Sequence, residues 1–248
     1  MPDAYAHCAA LVREADRDRF LASLFAPADR RPHLHALYAF DIEIARVGLV
    51  VREALAGEIR LQWWREALAG RVPEEVAAHP VARALIATLA RCELPVEPLE
   101  RLIDTRALDL YGEPLSTVDE LAEHGRQTAS AVFALAARIL DPNADVASVA
   151  DPAGVATTLT ARLQGAPHRR MSTVAPADLA ARARTELEQV RCHWGVIPAA
   201  AQPAFLPLAL VRAVLARSAH SGDSIVPVTL SFWRRQWILW RAARRGEL

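Results

Sequence analysis

Lysine is absent from this chain: all 29 basic residues among its 248 are arginine. Chemistry that needs a lysine amine, such as a Schiff base or a phosphate-loop lysine, is excluded. The arginines are matched by 29 acidic residues, and a formal net charge of zero gives no global drive toward nucleic acid, so no such partner is expected. Cysteine is scarce. Cys8, Cys92 and Cys192 are odd in number and far apart, without the paired spacing of a zinc site or a redox disulfide, which points to a reduced, cytoplasmic setting. Long apolar runs are also lacking. The first twenty residues reach Arg13-Glu14-Ala15-Asp16-Arg17-Asp18-Arg19, so no export signal is expected. The most apolar stretch, around residues 205–215, holds Pro207 and Arg212 and falls short of the roughly 20 residues of a membrane span. A soluble or peripheral protein is expected.

What remains is an alanine-rich, arginine-rich chain in which 52% of residues are hydrophobic, enough for a sizeable core. Apolar residues recur at spacings of three and four, as in Leu34, Leu37, Tyr38, Ile42 and Ala45, while strand-like alternation is absent. Prolines and short polar clusters cut the pattern into segments of helix length. Thr117-Val118-Asp119-Glu120 has capping-box spacing, and Pro80 suits a first helical turn. Eight or nine helices are expected, in one all-α domain over residues 1–248 with a central apolar cavity.

Three runs carry most of the chemistry-bearing pattern. They are residues 20–27 (FLASLFAP), 37–47 (LYAFDIEIARV) and 57–66 (GEIRLQWWRE), with Asp104, Asp109 and a later stretch 154–160 (GVATTLT) in the same order. In order and spacing this resembles the squalene and phytoene synthase family. The resemblance implies a helical bundle of the isoprenoid synthase type, whose active members join two prenyl diphosphates head to head. It also implies magnesium, held by aspartates on two facing helices, because a diphosphate leaves only when its developing charge is neutralised.

The positions that the resemblance assigns to metal ligands are not acidic. They fall at Ala45, Arg46 and Leu49 in the first helix, and at Gly165 and Arg169 in the second, where Thr158 and Ala161 replace the family's glutamine and asparagine. Asp41 and Glu43 diverge on a helix, and Asp104 and Asp109 share a face only loosely, so neither pair makes a compact metal box. No cofactor is expected, with magnesium entering only if displaced ligands keep an active prenyl transferase. Candidate cavity or anion contacts are Tyr38, Arg46, Asp104, Asp109, Thr158, Arg169 and Arg170. The eight histidines and Ser130 and Ser231 show no metal or nucleophile spacing.

The likeness is closer to a subgroup with the same losses, the phytoene-synthase-like assembly factors of respiratory complex I, through residues 40–47, 162–168, 203–207 and the closing 237–241 (WILWR). It implies a non-catalytic helper on the inner face of an energy-transducing membrane, with a protein partner there. The alternatives are the active transferase and a carrier of an apolar or isoprenoid ligand. Independently, Phe232, Trp233, Trp237, Leu239 and Trp240 gather on one broad helical arc with Arg234, Arg241 and Arg245 opposite. Tryptophan opposed by arginine suits either an interfacial helix at the membrane or a stripe that closes the core.

Overall fold

The structure, a computed structural model, describes residues 2–51, 53–111, 114–165, 174–218 and 230–247. Among these no strand occurs, and fourteen α-helices follow one another: α1 (Pro2–Ala15), α2 (Arg17–Ser23), α3 (Arg31–Val50), α4 (Ala54–Leu68), α5 (Pro73–Ala78), α6 (Pro80–Cys92), α7 (Glu97–Tyr111), α8 (Val118–Gln127), α9 (Ala129–Leu140), α10 (Ala147–Leu163), α11 (Pro176–Cys192), α12 (Gln202–Phe205), α13 (Leu208–Ser218) and α14 (Phe232–Arg245). The count exceeds eight or nine for a physical reason. α2, α5 and α12 are only four to seven residues long, too short to show a hydrophobic period. A further break at Thr128, with φ −117° and ψ −82°, divides α8 from α9 without proline or glycine.

Local sequence sets most of the helix starts. Proline stands in the first turn of α3, α5, α6 and α11, where its missing N–H costs nothing. Thr117 and Glu120 form the full capping box of α8.

Two helices form the axis of the bundle. Residues 34–41 of α3 are buried on every side, because α1, α6, α7 and α9 surround that half. α10 is likewise enclosed by α8, α9, α11 and α13. The approach of α10 to α9 is set by Gly154: a Cβ there would lie 2.2 Å from Ser130 Oγ and 2.3 Å from its backbone nitrogen. One continuous core runs from Ala4 of α1 to Leu215 of α13. A second, smaller cluster joins Ala22 of α2, Leu210 and Val214 of α13, and Leu239 and Ala242 of α14.

Candidate functional site

Where α3 leaves its buried half, its inner face opens on a cavity of about 220 Å³. Asp41, Ile44, Ala45, Gly48 and Leu49 line it from α3, at the spacing of one helical face. α10 closes the opposite side with Thr157, Thr158, Ala161 and Arg162, while Arg19, Arg106, Asp109 and His124 enter from α2, α7 and α8. The unusual break at Thr128 belongs to this wall, and its hydroxyl donates to the His124 carbonyl at 2.6 Å.

The cavity's two carboxylates are both engaged by cations. Arg19 donates to Asp41 Oδ2 at 2.6 Å. Arg106 stands between the two acids, 3.9 Å from Asp41 Oδ1 and 3.5 Å from Asp109 Oδ2. His124 Nε2 lies 2.9 Å from the same Asp109 oxygen. Burial pushes the Arg162 guanidinium down to about 10, with Asp109 opposing that shift and Arg106 adding to it. Three guanidinium groups thus face two carboxylates. Among the described residues no group of three histidine, cysteine, aspartate or glutamate side chains could hold a metal ion. Among the described residues the donor set fits a magnesium cluster poorly, because each carboxylate already stands beside a guanidinium whose fixed charge repels the metal.

Of the positions marked from the sequence, Ala45, Leu49, Asp109 and Thr158 line the cavity. Arg46 does not: one residue on from Ala45, it is turned to a second groove with Glu43, Ile59, Arg60, Trp63, Trp64 and His79. There burial raises the Glu43 carboxyl to about 7, and His79 Nε2 lies 3.6 Å from it. Asp104 is also no cavity contact. Five residues from Asp109 it points to the surface, where Arg65 donates to it at 2.7 and 3.0 Å. Tyr38 is buried under the Arg19 guanidinium, 5.2 Å from its ring centroid, and does not line the cavity. Gly165 lies past the end of α10 in a left-handed turn (φ 73°), and Arg169 and Arg170 lie outside the described residues. Sequence reasoning missed Arg19, Arg106, His124 and Arg162. Only the i, i+3 pair of Arg106 with Asp109 left a readable signal.

At the C-terminal end the aromatic arc divides. Leu239 turns inward, while Trp233, Trp237 and Trp240 stay 78%, 59% and 41% exposed. Arg234, Arg241 and Arg245 are not opposite the tryptophans but beside them on the same outer face. Phe232 lies under the Arg17 guanidinium at 4.1 Å, and Arg244 lies over the Trp240 ring at 5.1 Å. Among the described residues no helix is long and apolar enough to cross a membrane.

Comparison with known proteins adds sequence to this geometry. The family model described as squalene/phytoene synthase matches residues 12–169. The chain is similar to a rat (Rattus norvegicus) protein named NADH dehydrogenase (ubiquinone) complex I, assembly factor 6, at 25% identity over 96% of this chain and 84% of that one. The human (Homo sapiens) protein of the same name is 30% identical over 62% of this chain and 48% of its own length. In fold it resembles squalene synthase HpnC from Alicyclobacillus acidocaldarius, with TM-score 0.72, 24% identity, and 89% and 94% of the two chains covered. A dehydrosqualene synthase in complex with ligand gives TM-score 0.76 at 19% identity, over 98% of this chain and 96% of that one. At these identities the solved structures speak for the isoprenoid synthase fold alone.

Proposed function

The chain belongs to the squalene/phytoene synthase family, and we propose that within it the protein is a non-catalytic assembly factor of the respiratory complex I type, working at a membrane face. The observation that carries this reading is the pairing of both cavity acids with arginine: Asp41 with Arg19 at 2.6 Å, and Asp109 with Arg106 at 3.5 Å. A guanidinium beside each carboxylate offsets its charge, and that fixed cation repels a divalent ion. The names of the relatives support the same assignment, since they refer to assembly and not to a synthase. The exposed tryptophan and arginine face of α14 supports the membrane location.

Cavity size bears on the alternatives. At about 220 Å³ it falls below the roughly 300–1,000 Å³ of ordinary ligand pockets. That suits a small anion better than two isoprenoid chains side by side, which weighs against a transferase, whereas the separate groove beside Arg46 and Trp63, at about 510 Å³, lies within the ordinary range.

The test has two arms. Deleting the gene in its host and separating membrane complexes on native gels should show loss of assembled NADH dehydrogenase, restored by the intact gene. Purified protein given farnesyl or geranylgeranyl diphosphate with magnesium should form no condensed product. A head-to-head product would overturn the non-catalytic reading, and normal NADH dehydrogenase in the deletion strain would overturn the assembly role.

A further inference from the structure

The groove between α13 and α14 is chemically unlike the rest of this charge-balanced chain. α14 carries five arginines and no acid. Arg235 is committed to Asp18, and Arg244 lies over Trp240. Arg241 and Arg245 form no ion pair among the described residues, and both line a groove of about 350 Å³ with Arg191, Arg212, Trp237 and Glu247. Alanines of α13 and α14 form the floor, and their small side chains leave the space between the helices open. Arg191 is paired with Glu188 at 2.8 Å, so the charge the groove offers comes from Arg241 and Arg245, two guanidinium groups side by side with Glu247 as the one acid of the lining, which suits an anion of phosphate type.

The same helix identifies the source of that anion. Trp237 is both a wall of the groove and a member of the exposed stripe with Trp233 and Trp240. Three solvent-facing indoles beside a basic groove match an acidic bilayer surface, where rings sit at headgroup depth and guanidinium groups meet phosphates. A free phosphate would call for the arginines but not for the tryptophans. We propose that the α13–α14 groove is a headgroup site for an anionic phospholipid, with Trp233, Trp237 and Trp240 as its membrane-embedded flank. The site rests on the membrane-face reading given above and adds to it a lipid class and an orientation, with α14 lying flat on the bilayer.

The full chain is tested by sedimentation with vesicles of phosphatidylcholine alone and of phosphatidylcholine mixed with phosphatidylglycerol. Binding should favour the anionic vesicles, with a blue shift in tryptophan emission. Arg241→Gln and Arg245→Gln should each cost about fivefold in partitioning, and the double variant roughly 25-fold. Arg234→Gln, on the same outer face but not in the groove, should cost clearly less. All these side chains are exposed, so unchanged melting temperatures will show that the variants are folded. Equal losses at Arg234 and Arg241, or equal binding to both vesicles, would overturn the headgroup site while leaving membrane contact standing. No binding to either vesicle would overturn both. Tight binding of inorganic phosphate alone, lost in the double variant, would assign the groove to a free anion. Binding of polyglutamate without vesicle binding would assign it to an acidic protein segment.

Discussion

The Arg19 guanidinium donates to the Asp41 carboxylate at 2.6 Å across α2 and α3, with side chains only 17% and 12% exposed. A pair this withdrawn from water gains little net stability, yet losing one partner strands a buried charge. Asp41→Ala should therefore cost about 3–5 kcal/mol in chemical denaturation. Arg19→Met combined with Asp41→Leu should recover much of that loss. If Asp41→Ala melts like the parent, the ion pair is not structural.

Two groups, His35 buried and Glu43 half-buried, give the stability curve opposite slopes. His35 donates from Nε2 to Ser23 Oγ at 2.8 Å, because the serine proton is committed to the Phe20 carbonyl. Burial, with Arg31 nearby, lowers its pKa to about 4. The unfolded chain then binds a proton that the folded chain refuses, so stability falls as pH drops from about 6.5 toward 4. Glu43 works the other way. Burial raises its carboxyl to about 7 against the pull of Arg46, so the folded state holds a proton that the unfolded chain has released. That contribution is full below about 4.5 and fades as pH rises through 7. His79, itself lowered by burial and by His7, faces the same carboxyl at 3.6 Å. Denaturation across pH 4–8 should show Glu43→Gln flattening the alkaline side and His35→Gln the acid side. Parallel curves for parent and variants would refute both assignments.

The helical fold was legible because period, proline and capping signals are local: the capping box at Thr117 and the first-turn Pro80 both appear where the spacing put them. The adjacent Trp63 and Trp64 differ in burial, Trp64 in the core and Trp63 half-buried, yet their rings remain in edge contact at 5.1 Å between centroids. The cavity's charge was not legible. Asp41 meets Arg19 from 22 residues away, and His124 meets Asp109 across a loop between two helices, and no pattern within one helix encodes such a meeting. Arg46 was misplaced because its neighbour Ala45 is on the cavity face and one residue is a turn of about 100°. On α14 the composition was right but the phase was not: packing on α13 and α2 drew Leu239 and Ala242 inward and left the tryptophans outside.

Gly154 is the most closely approached of the described glycines. An added Cβ would meet Ser130 Oγ, N and Cα at 2.2, 2.3 and 2.7 Å, and two of these are backbone atoms that cannot rotate away. Gly154→Ala would ordinarily favour a helix by up to about 1 kcal/mol. Here α9 and α10 must separate instead, and a net loss of about 2–3 kcal/mol is expected. Gly165→Ala makes an informative contrast, since nothing lies within 4 Å of its Cβ position but its φ is 73°. Its cost should be smaller and purely conformational. Equal or increased stability of Gly154→Ala would mean that the helices have room to adjust.

Magnesium offers the sharpest check on the cavity. Arg106 lies beside both acids, at 3.9 and 3.5 Å, so its removal is the change most able to free a carboxylate pair. Even then Arg19 would remain on Asp41 and His124 on Asp109. A ligand that binds only the folded state raises the melting temperature by mass action. Magnesium at millimolar concentration should therefore leave the parent's melting temperature unchanged. Arg106→Ala should melt lower, and the metal should not restore it, because each carboxylate keeps a second partner. Restoration by magnesium, and not by sodium chloride of equal ionic strength, would show that a single arginine separates this cavity from a metal-binding one. A magnesium-dependent rise in the parent itself would return the cavity to the transferase reading.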